Sequence, residues 1–105
     1  MFIASAVPEA AAAMRGWLSA GHEIGALWIG HSPQRGMMHR DARLAWLAPQ
    51  WSSASVARRH AIPVREVPRL AGWAGALDAA RGVEADVLVS VYFPFLVPPA
   101  LLALF

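Results

Sequence analysis

Apolar stretches of strand character alternate along this chain with segments whose apolar residues recur at helical spacing, and few folds accept that order. Phe2 to Ser5 is short and apolar and predicts a buried first strand. Pro8 and Glu9 follow, residue types that suit a first helical turn through fixed φ and through the macrodipole. Ala10, Met14, Trp17 and Leu18 then share one helical face, and Gly21 is placed to end the helix. Ile24 to Ile29 reads as a second strand without polar alternation. Ser52 or Ser53 caps a helix running to about His60. Ile62 to Val67 is a third strand, expected at an edge because Pro63 cannot donate to a ladder on both sides. Leu70, Trp73 and Leu77 share a helical face that Gly82 closes. Asp86 introduces Val87 to Phe93, β-branched and aromatic, as suits a strand buried on both faces. A last helix begins at Pro98 and Pro99. Strands alternating with helices imply right-handed crossovers and a parallel sheet covered on both faces.

The chain has 105 residues, enough for one small domain or one piece of a larger one. At 57% hydrophobic and 15% charged it is not a disordered chain, and with no cysteine it has neither disulfides nor thiolate chemistry. All nine basic residues are arginine, so a net charge of only +2 accompanies a pI of about 10.5. That excess lacks the dense basic stripe of a dedicated nucleic-acid binder. No residue from Val87 to Phe105 is charged, but Pro94, Pro98 and Pro99 break any helix long enough to span a bilayer. The expectation is strand, loop and helix there, not a membrane segment.

Ligands on a parallel sheet bind beyond the carboxyl ends of the strands, where the strand order switches. Three turns qualify: Ser5–Pro8, the basic stretch Gly30–Arg43, and Tyr92–Pro98. The first has no glycine, which argues against a dinucleotide cofactor, and Gly30 and Gly36 are not followed by Lys-Ser/Thr, so no phosphate-binding P-loop is written. His31 and His39 lack a metal-ligand spacing, His22 and His60 read as structural, and Ser5 and Ser90 have no triad partners. Asp86 is a lone carboxylate that suits the turn before its strand. No catalytic group and no metal site is expected from these residues.

Three segments together resemble the 10-formyltetrahydrofolate-dependent formyltransferases. Leu18-Ser19-Ala20-Gly21-His22-Glu23-Ile24 is similar to the Ala-Gly-His-Glu-Val end of that family's first helix. Ser55 to Val64 resembles the helix that runs there into a Gly-Ile-Pro-Val third strand. Ala85 to Tyr92, with Phe95-Leu96-Val97-Pro98 and Leu101-Leu102, resembles the family's Pro-Asp strand, Ile-Leu-Pro turn and Leu-Leu block. The resemblance implies a three-layer, Rossmann-like α/β fold, truncated after the fourth strand and its helix, with residues 1–105 forming the N-terminal part of a formyltransferase catalytic domain.

By that resemblance the donor is 10-formyltetrahydrofolate, and Phe95, Leu96 and Val97 would contact the folate. Arg35, Arg40 and Arg43 would help hold an acceptor amine: an amino-sugar nucleotide, an aminoacyl-tRNA or glycinamide ribonucleotide. The family's first turn commonly carries Gly, Pro and Phe, which are not matched at Ser5 to Ala12 apart from Pro8. Its catalytic Asn, His and Asp fall beyond Phe105, so the chain alone is expected to be inactive. A cytoplasmic location is expected. A fourth strand ending the sheet would leave an apolar edge, so self-association of the isolated chain is expected. The alternatives are a non-catalytic Rossmann-like binding or interaction module, and another nucleotide-binding α/β domain, which the glycine-free first turn disfavours.

Overall fold

A computed structural model describes residues 1–30, 43 and 45–105. The elements follow the expected order: β1 (Phe2–Ala4), α1 (Pro8–Ser19), β2 (Leu27–Gly30), α2 (Ser53–Arg59), β3 (Val64–Val67), α3 (Ala76–Arg81), β4 (Val89–Val91) and α4 (Pro99–Leu102). Single 3₁₀ turns at Pro49–Trp51 and Leu70–Gly72 precede α2 and α3. The four strands form one sheet in the order β3-β2-β1-β4, and every pairing is parallel. Phe2 sits opposite Leu27 on one side and Val89 on the other, while Leu27 also meets Val64.

Alternation along the strands divides the core in two. Phe2, Ala4, Leu27 and Ile29 face α1 and α2, where they meet Ala10, Met14, Val56 and Ala57. Met1, Ile3, Ala26 and Trp28 face the opposite way, against Leu70, Ala76, Ala80 and Leu101 from the second 3₁₀ turn, α3 and α4. The result is a three-layer α/β arrangement compatible with a Rossmann-like layout. Among the described residues no helix is long and apolar enough to cross a membrane.

The helix boundaries follow from local chemistry. Pro8 opens α1 with Glu9 beside it. Gly21, at φ +87°, ends it: its N–H bonds the Leu18 carbonyl at 3.0 Å and the His22 N–H bonds that of Trp17 at 3.3 Å. This paired pattern satisfies carbonyls that the helix itself leaves open. Ser52 caps α2 by accepting the Ser55 N–H at 3.3 Å. β3 is an edge strand, as Pro63 suggested, with Val64, Arg65 and Glu66 exposed and Val67 buried.

Three expectations need correction. The second strand starts at Leu27 rather than Ile24, because its neighbours offer no pairing partner further upstream: β1 begins at Phe2 and β3 at Val64. The helical face of Leu70, Trp73 and Leu77 is split. Trp73 is extended (φ −104°, ψ 102°) between the 3₁₀ turn and α3, and packs on Trp28 with ring centroids 5.4 Å apart. Gly72 and Gly75 flank it, and glycine weakens a helix by about 1 kcal/mol per position relative to alanine. All three side chains still reach one cluster. The fourth strand, finally, spans only Val89–Val91 rather than Val87 to Phe93, since the left-handed Tyr92 ends it, and it is only half-buried, because β1 is its one neighbour in the sheet.

Candidate functional site

The strand order places the topological switch between β1 and β4, since the chain builds β2 and β3 on one side of β1 and then crosses to the other. At the carboxyl end of β1, Ser5 is buried, and its N–H bonds the Val91 carbonyl at 3.2 Å. Its hydroxyl donates to the Tyr92 carbonyl, so β1 holds the start of the β4 turn with both backbone and side chain. Tyr92 is left-handed at φ +51° and 71% exposed. A bulky residue in that region is strained, and such strain gathers at functional turns.

From Tyr92 the chain doubles back over the sheet. A β-carbon on Gly30, at the end of β2, would lie 2.7 Å from Phe93 Cε2 and 2.8 Å from Pro94 Cδ. Gly30 is therefore needed for the turn to cross the end of β1 and rest on β2. Phe93 and Phe95 meet edge to face at 5.7 Å, which stiffens the crossing. Beyond it, Leu96 is 89% exposed while Val97 packs into the core of the second face.

The expected folate residues Phe95, Leu96 and Val97 thus lie together at the carboxyl end of the sheet, next to the switch. Their backbone N–H and carbonyl groups make no hydrogen bond among the described residues. A run of unpaired donors and acceptors beside an apolar, aromatic-lined turn can read the edge of a flat heterocycle. Of the acceptor-side arginines, Arg43 is helical and exposed, whereas Arg35 and Arg40 lie outside the described residues, as do His31 and His39. Just after Arg43, Trp46 is 86% exposed and Leu47 is exposed too. Sequence reasoning left this stretch unassigned, and a large apolar pair directly after a basic run is the signal that could have drawn attention to it.

A cleft of about 910 Å³ opens at the other end, lined by Met1, Trp17, His22, His60, Asp86 and Val87 among others. It borders the amino ends of the strands, where doubly wound sheets do not bind their ligands. His22 packs on Trp17 at 4.6 Å between ring centroids, and His60 stands at the carboxyl end of α2. The α-amine of Met1 donates to the Val87 carbonyl at 2.7 Å. Burial pushes that amine below its ordinary 8.0, opposed by the charge of Asp86. No group of three or more metal-ligating side chains is brought together among the described residues. No known family model, curated protein or solved structure matches the chain.

Proposed function

We propose that this chain is the N-terminal part of a formyltransferase that takes its formyl group from 10-formyltetrahydrofolate, and that it supplies one wall of the folate pocket. The observation that carries the reading is the β4 turn: among the described residues, Phe95, Leu96 and Val97 keep their backbone groups unpaired beside the switch point of a parallel sheet. Folate presents a planar ring with alternating donors and acceptors, which such a backbone run would meet edge-on. In the reaction an acceptor amine attacks the formyl carbon, the nitrogen of the folate leaves, and negative charge gathers transiently on the formyl oxygen. Stabilising that oxygen and taking the amine proton would fall to groups beyond Phe105. Arg35, Arg40 and Arg43 would hold the acceptor.

A second reading, a binding or interaction module without chemistry, is favoured by the packing of Phe93 and Pro94 over Gly30, which fills part of the switch with the chain's own residues. Calorimetric titration with 10-formyltetrahydrofolate, NAD and ATP separates the two. The formyltransferase reading expects saturable binding of the folate alone and no formyl transfer by the isolated chain. No response to the folate, whether or not NAD or ATP binds, would overturn it and favour the module.

A further inference from the structure

Away from the β4 turn, a cavity of about 60 Å³ lies between α1, the Pro49–Trp51 turn and α2. Arg15, Gln50, Ser55, Arg59 and His60 supply its polar lining, and no carboxylate borders it. The Arg15 guanidinium is held over the Trp51 ring at 4.7 Å, and its Nε is buried with no hydrogen-bond partner. Neither Arg15 nor Arg59 pairs with a carboxylate among the described residues. Two arginines that border one cavity without a carboxylate leave their charge for an external anion, and charge-assisted hydrogen bonds are the strong ones. The volume corresponds to roughly four to six water positions, the span of the oxygens of a tetrahedral anion.

We propose that this cavity binds a tetrahedral oxyanion, a phosphate group either free or as the terminal monoester of a small molecule. The Arg15 and Arg59 guanidinium groups, which border the cavity, donate to it with the fork geometry that suits phosphate. The Ser55 hydroxyl and the Gln50 amide complete the shell, and His60 adds a donor at the rim. The helix α2 presents its carboxyl end here, which opposes an anion, so binding rests on the arginines and has a Kd on the order of 1 mM.

Nuclear magnetic resonance of the whole chain tests this, titrating inorganic phosphate and separately ribose 5-phosphate against chloride at matched ionic strength. The site predicts saturable shifts of the Arg15 Nε–H and Trp51 indole N–H signals with both phosphates and none with chloride. Tighter binding of the monoester marks a small-molecule ligand, and equal binding marks free phosphate; both uphold the site. Arg59→Gln changes an exposed side chain, so amide dispersion stays native while the phosphate Kd rises about tenfold. Shifts that fail to saturate, that chloride reproduces, or that Arg59→Gln leaves unchanged would overturn the proposal.

Discussion

At the scale of single residues, two backbone positions decide how the chain turns. Gly30 has no room for a methyl group beneath Phe93 and Pro94. Gly30→Ala is expected to cost about 1–3 kcal/mol, the usual penalty of overpacking a filled site, seen as a lower urea midpoint with an unchanged m-value. Ala61 is the mirror case. It stands at φ +55° just past α2, with its N–H on Arg58 and the Ile62 N–H on Ala57, the hydrogen-bond pattern that closes α1 at Gly21. Ala61→Gly should therefore stabilise the fold by about 1 kcal/mol, measured in the same titration. The two helix ends show what a sequence discloses. Gly21 announces its stop because glycine is the residue a left-handed position favours, while Ala61 carries no such mark and its stop is set by the strand that must begin at Val64.

At the scale of elements, the two sheet edges are built differently. β3 is bracketed by Pro63 and Pro68 and exposes Arg65 and Glu66, devices that keep an edge from pairing with another chain. β4 has none of these: Ser90 is exposed, Val87 before it is 48% exposed, and no charge occurs from Val87 onward. Ser90→Lys is expected to shift the chain towards monomer in sedimentation equilibrium, and association as strong as the parent's would mean that another surface makes the contact. The element types and their order along the chain were legible in the alternation of apolar runs and helical spacing. The split of the Leu70–Leu77 face was not, because periodicity ignores the packing of Trp73 on Trp28, which lies on the same face of the sheet. Nor was the shallow burial of β4, since a β-branched run reads alike whether one or two neighbours flank it.

At the scale of the whole molecule, the question is which end of the sheet works. The carboxyl end carries a strained Tyr92, a turn held down by Ser5 and Gly30, and three residues whose backbone groups find no partner among the described residues. The amino end carries a cleft of about 910 Å³, where His22 packs on Trp17. The position of the candidate turn was legible from the rule that ligands sit beyond carboxyl ends, and the free backbone of Phe95 to Val97 was not, because hydrogen-bond pairing in an irregular turn leaves no mark in residue type. The direct test maps amide shifts of the isotopically labelled chain during titration with 10-formyltetrahydrofolate. Saturable changes concentrated at Phe95, Leu96 and Val97 are the predicted result. Changes confined to Trp17, His60 and Asp86 at the opposite end, or none anywhere, would contradict the account.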